Sequence, residues 1–184
     1  VISCDTLPAD DLSPSDAHHW QGDAMKFLED SDDGEFDLII AHPPCTALCL
    51  SGSAWYGQGM AKHEKRLEAM EWTEKLWNLW KRKGKRVDFE MPVGVLGHTS
   101  MGKATFYTQP YNHGHPESKK TGFWTWNLPK LKETDNVKDV YDTLPKREQQ
   151  RLHYLPPSPD RWKIRSKTFM GIAQAIANQW GDLD

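Results

Sequence analysis

The chain has 184 residues, with 23 Lys and Arg against 26 Asp and Glu, a formal charge of −3. That length suits one domain with a proper core, and the mild acidity excludes a general polyanion binder, so nucleic-acid contact has to come from local basic clusters. No apolar run approaches the ~18 residues of a membrane span, no signal-peptide pattern or internal repeat is visible, and three cysteines do not make a disulfide scaffold, which points to a cytoplasmic protein.

Val1–Asp5 reads as a strand ending in an acid, followed by the breaker-rich TLPADDLSPSD. An acid in that place either accepts from ribose hydroxyls of a nucleotide or is a surface turn residue. The chain opens without Met, and a βα unit with a glycine-rich turn is expected before Val1. Asp23 is the expected N-cap of a short helix over Ala24 to Glu29. The run Leu38–Ala41 is short, apolar and stopped by Pro43-Pro44, so it reads as a buried, central strand of a parallel sheet. Cys45 then sits on a stiff turn at a carboxyl strand end, where open α/β sheets bind ligands; the alternative is an inert core thiol.

Gly57-Gln58-Gly59 reads as the hinge of a mobile catalytic loop. A helix is expected over Met60–Lys83, with Leu67, Met70, Leu76, Trp77 and Trp80 as its buried stripe. Its basic end, Lys81 to Arg86, suits a helix C-terminus better than DNA. Lys85–Pro92 (KRVDFEMP) is a second strand, which makes a βαβ unit and brings Cys45 and Glu90 to the same edge. A thiol nucleophile beside a carboxyl acid suits covalent catalysis.

ATFYTQP and KKTGFWTWNLP form a predicted hairpin with YNHGHPES as its tip. Trp124 and Trp126 face either the core or a nucleic acid. His113 and His115 with His42, Cys45 and Cys49 could be assembled into a zinc site, but the spacing fits no structural-zinc pattern and no metal is expected. After a polar interval with one short helix (Pro145–Leu152), Arg165 to Thr168 open an amphipathic last helix and offer an anion site there.

DLIIAHPPCTALCLSG resembles the Pro-Cys motif of DNA cytosine-5 methyltransferases, and FEMP resembles their Glu-Asn-Val motif, with His42 in place of Gly and Met91-Pro92 in place of Asn-Val. The whole is most similar to small methyltransferase-like proteins of phages and prophages. The resemblance implies a Rossmann-like class I methyltransferase fold, α/β with a mostly parallel sheet and a terminal β-hairpin, in a single catalytic domain without a large target-recognition domain. It implies Cys45 as the nucleophile at C6 of a flipped cytosine, and Glu90 as the acid at N3. Asp5, Asp23 and Pro43 become contacts to S-adenosylmethionine. Gln109, Lys119, Lys120, Arg165 and Lys167 become contacts to DNA. A non-catalytic nucleic-acid or protein binding module and, further off, a zinc hydrolase are the alternatives.

Overall fold

The computed structural model describes residues 1–9 and 18–183, so most of the breaker-rich stretch expected after Asp5 lies outside the described residues. β1 (Ile2–Asp5) and β2 (His18–Gln21) pair in parallel, from Ile2 opposite His18 to Asp5 opposite Gln21, as a two-stranded sheet of their own. Gly22 turns the chain into α1 (Ala24–Glu29). A Cβ at Gly22 would stand 2.4 Å from the Trp20 ring, so the turn has no room for a side chain. Asp23 caps α1 as expected: its Oδ1 accepts from the amides of Met25 at 2.8 Å and Lys26 at 3.3 Å, satisfying two of the helix's otherwise unpaired donors. Phe27 on α1 lies 5.1 Å from Trp20 and 5.9 Å from Phe36, centroid to centroid, and so ties β2 to the approach of the main sheet.

The main sheet contains β3 (Ile39–Ala41), β4 (Val87–Pro92), β5 (Phe106–Thr108) and β6 (Thr121–Trp126), in the order β3-β4-β6-β5. β3 and β4 are parallel, with Ile39 opposite Val87 and Ala41 opposite Phe89. The chain between them carries α2 (Ser53–Tyr56) and α3 (His63–Lys83), which completes the expected βαβ unit. β6 runs antiparallel to both β4 and β5, so the expected hairpin is present as well. The protein is therefore mixed α/β with a small mixed sheet, rather than a mostly parallel one. β3 is also an edge strand and not a central one. Among the described residues nothing pairs with its outer side, and Ile40 is 40 % exposed. β4 and β6 are the central pair, each with at least four consecutive buried residues.

Alternation along β4 divides the core. Val87, Phe89 and Met91 face Leu76, Trp77 and Trp80 of α3, and the Phe89 ring lies 5.7 Å from Trp80 and 5.3 Å from Trp124. Asp88 and Glu90 take the other face. They share it with Phe123 of β6, which stands opposite Glu90 and packs with Ile172, Ile176 and Trp180 of α7 (Met170–Trp180). The stripe on α3 starts later than expected, since the helix begins at His63 and Leu67 is 45 % exposed.

The two tryptophans of β6 separate. Trp124 is core, its indole N–H donating to the Gly102 carbonyl at 2.9 Å. Trp126 lies opposite Val87, at the amino end of β4, with the Lys81 ammonium 5.6 Å from its ring. Most of the basic run at the end of α3 is paired internally: Arg82 and Lys83 reach Asp33 at 3.2 and 2.9 Å, and Lys85 reaches Asp37 at 2.7 Å. Beyond β6 come α4 (Lys138–Thr143), α5 (Lys146–Gln149) and α6 (Arg161–Ser166). α5 is shorter than the helix expected over Pro145–Leu152. Arg165 and Ser166 end a helix of their own instead of opening α7, whose N-cap is Phe169. Among the described residues no helix is long and apolar enough to cross a membrane.

Candidate active site

β3 ends where the prolines begin, and the chain then winds into one helical turn. The Cys45 carbonyl accepts from the amides of Leu48 at 3.0 Å and Cys49 at 2.9 Å. This loop is stitched to the segment leaving β4: Leu50 N–H donates to Val93 O, and Val95 N–H to Leu48 O, each at 3.0 Å. A Cβ on Gly94 would stand 2.2 Å from the Leu48 carbonyl oxygen, so the approach of the two backbones depends on glycine.

From α3 the buried Arg66 guanidinium donates to Ala47 O at 2.7 Å, Cys49 O at 3.3 Å and Ser53 Oγ at 3.5 Å. The loop read from sequence as mobile is thus pinned from two sides, and Gly57 closes α2 with its N–H on Ser53 O at 2.9 Å. Each charge-assisted bond of this kind is worth about 1.5–3 kcal/mol, and its loss strands buried carbonyls. Arg66→Met is expected to lower the melting temperature by several degrees and to speed amide exchange across residues 47–53. Unchanged exchange there would show that Arg66 does not hold the loop.

Cys45 and Glu90 line one cleft of about 100 Å³, together with Pro43, Lys119, Thr121 and Arg165. A closed cavity of ~150 Å³ takes a benzene molecule, so this smaller, open cleft holds at most one small ring. Glu90 is buried, and its Oε1 has no hydrogen-bond partner. His42 Nδ1 approaches it only to 3.9 Å, too far for a hydrogen bond. Burial lifts the Glu90 carboxyl to about 7, against the opposing pull of the Lys119 cation. Burial also lowers the Lys119 pKa, while Glu90 and Cys45 favour its charge. Its Nζ donates to the Lys167 carbonyl at 3.1 Å. Two residues before Glu90, on the same face, Asp88 is fully buried with neither oxygen paired. Burial, and then the neighbouring Glu90, push it well above the usual carboxylate range.

The pocket thiol has a second thiol near it in sequence. Cys49 Sγ donates to the Thr46 carbonyl at 3.8 Å and lies 3.0 Å from Ser51 Oγ. Interaction with Cys49, then burial, raises the Cys45 pKa, while Lys119 favours a thiolate there. The same interaction lowers that of Cys49, aided by Ser51 and opposed by burial.

Of the residues expected from sequence, Cys45, Glu90, Pro43, Lys119 and Arg165 meet at this cleft, along with His42, Ser166 and Thr168. Asp5, Asp23, Gln109, Lys120 and Lys167 do not line it. Asp5 and Asp23 are at and just beyond the carboxyl ends of β1 and β2 and do not line it. Gln109 is structural, its Oε1 accepting from the Lys119 amide at 3.1 Å across the base of the hairpin tip. Lys120, just before β6, does not line the cleft, and its ammonium lies 4.7 Å from the Tyr107 ring. Lys167 reaches the site through its carbonyl, which accepts from Lys119 Nζ. His113 is buried between the hydroxyls of Thr108 at 2.9 Å and Thr134 at 3.1 Å, and His115 Nε2 accepts from Gly171 N–H at 3.0 Å. Among the described residues no group of three or more His, Cys, Asp or Glu side chains is placed to hold a metal.

Arg66, Asp88 and Thr121 were not singled out from the sequence. Only Arg66 left a trace there, as a cation in helical phase with the buried Thr73, Trp77 and Trp80. Compared with protein-family models, with curated proteins and with solved structures, the chain matches none.

Proposed function

We propose that the chain is a DNA cytosine-5 methyltransferase-like enzyme with a Rossmann-like arrangement around its βαβ unit. The observation that carries this reading is the meeting of Cys45 and Glu90, from the ends of two adjacent parallel strands, in a cleft too small for more than one ring. A pyrimidine ring in such a cleft has to leave the base stack of its strand. Cys45, as its thiolate, then adds to C6, and the Glu90 carboxyl gives its proton to N3, which directs electron density to C5. C5 takes the methyl group, the donor leaving as a neutral thioether; the C5 proton passes to water, the Cys45 thiolate departs and the N3 proton returns to Glu90, which restores the ring. A carboxyl lifted to about 7 holds its proton at near-neutral pH, as a general acid must.

S-adenosylmethionine is the methyl donor in this reading. Asp5 and Asp23 fit its nucleoside by their chemistry: both are exposed carboxylates at carboxyl strand ends, and such groups accept from ribose hydroxyls and the adenine amino group. The zinc hydrolase alternative has nothing in its favour, since the ring nitrogens of His113 and one of His115 are engaged within the protein.

The test is covalent capture. An oligonucleotide carrying 5-fluorocytosine, incubated with protein and S-adenosylmethionine, is expected to yield a stable adduct on Cys45, located by peptide fragmentation. An adduct on Cys49, or transfer to C5 without any adduct, would overturn the assignment.

A further inference from the structure

We propose that α6 is a stacking platform for single-stranded nucleic acid crossing the mouth of the pocket, with Trp162 as the residue that takes a base beside the one inserted; the proposal rests on the reading of the pocket as a base site. Arg165 and Ser166, at the end of α6, line the cleft. Trp162 lies three and four residues earlier, and therefore on the same flank of the helix one turn away. It is 60 % exposed. An indole this open contributes little to the packing of the fold.

Charge selects the partner. The stretch from Arg161 to Trp180 contains Arg161, Lys163, Arg165 and Lys167 and no acidic residue, in a chain whose net charge is −3. Arg161 is engaged in the fold, donating to Leu155 O at 2.9 Å, whereas Arg165 faces the cleft. The Lys119 bond to the Lys167 carbonyl fastens the segment to the pocket that holds Glu90. Cations interleaved with an exposed aromatic are the composition that holds an unpaired strand, through phosphates and base faces together.

Strandedness follows from dimensions. α6 has six residues and is about 9 Å long, too short to lie along a major groove and read several base pairs. In a duplex the base faces are already covered by their neighbours, so Trp162 finds a partner only where the strand is unpaired. The cleft admits at most one ring, and the next base along the strand has to rest outside it, on the rim.

The experiment uses the full chain without methyl donor, so that no turnover intervenes. A fluorescein-labelled 12-nucleotide single strand with one cytosine, and the same sequence as a blunt duplex, are titrated and followed by anisotropy. The single strand is expected to bind more tightly. Trp162→Ala should weaken it roughly tenfold to a hundredfold, with Trp162→Phe retaining most of the affinity. Trp72→Ala, at a half-exposed tryptophan on α3 against the opposite face of the sheet, should change it less than twofold. Equal or tighter binding of the duplex, no binding of either, or equal effects of Trp162→Ala and Trp72→Ala would each overturn the proposal. Trp162-dependent binding of the single strand without any 5-fluorocytosine adduct would instead count against the methyltransferase reading and leave the platform standing.

Discussion

Cys45→Ser is expected to abolish methyl transfer, with a loss on the order of 10⁴-fold or more, as when the nucleophile of a covalent mechanism is removed, while affinity for the oligonucleotide changes little. The serine hydroxyl has nearly the shape of the thiol but is a far weaker nucleophile at neutral pH. Cys49 is the necessary comparison, because it is the other thiol of this loop and its pKa is lowered where that of Cys45 is raised. Acidity does not make it the nucleophile: Cys49 is buried, held against Ser51, and does not line the cleft. Cys49→Ser should therefore keep the 5-fluorocytosine adduct and Cys45→Ser should lose it. An adduct that survives Cys45→Ser would reverse the two roles.

Glu90→Gln is expected to lower the transfer rate by about 10²–10⁴-fold, the usual contribution of a positioned general acid, and to change the pH profile in a defined direction. The reactive form is the protonated carboxyl, with a pKa lifted from 4.5 to about 7 by burial. Cys45 must react as the thiolate, and its pKa is raised. The wild-type rate should therefore rise with pH up to about 7 and then level off, as loss of the Glu90 proton offsets the gain in thiolate, whereas the Gln variant should keep rising through pH 7. Stability responds with the same sign. Between the unfolded pKa and about 7 the folded chain binds a proton that the unfolded chain does not, so stability declines as pH rises through that window. A shift of this size corresponds to about 3 kcal/mol. The Gln variant should lose most of this slope in thermal melts from pH 5 to 8. A rate that keeps rising above pH 7 in the wild type would remove Glu90 from the role of acid.

The parts of the fold legible in the sequence are those specified by local rules. The proline pair stops β3 at Ala41, Asp23 caps α1, and the apolar phase of Leu76, Trp77 and Trp80 buries one side of α3. Period-two runs on either side of the histidine-rich tip made the β5–β6 hairpin readable. The order of strand, helix and strand was enough to bring Cys45 and Glu90 to one edge, because a parallel crossover leaves both strands ending on the same side.

Pairing partners were not legible, since a strand's sequence does not state which neighbour it takes. β6 inserts antiparallel between β4 and β5, which makes the sheet mixed, and β3 stays at the edge with Ile40 open. The site divides in the same way. Cys45, Glu90 and Pro43 follow from two strand ends, and so were visible in the chain. Arg165 and Lys119 come from segments about 120 and 70 residues away from Cys45 in sequence, and only the packing of α6 and β6 against β4 brings them to the cleft. Arg66 is the clearest case: a charged residue on an amphipathic helix is ordinarily a solvated one, and it is the three acceptors offered by the Cys45 loop, 13 to 19 residues away, that turn it into a buried anchor. Sequence alone determined where the chain must stop, turn and cap, because those are contests among neighbouring residues over φ, ψ and nearby hydrogen bonds. The tertiary structure decided which carboxyl loses water, which thiol lines the cleft and which cation faces them, because desolvation and through-space charge depend on atoms that the chain brings together only when it folds.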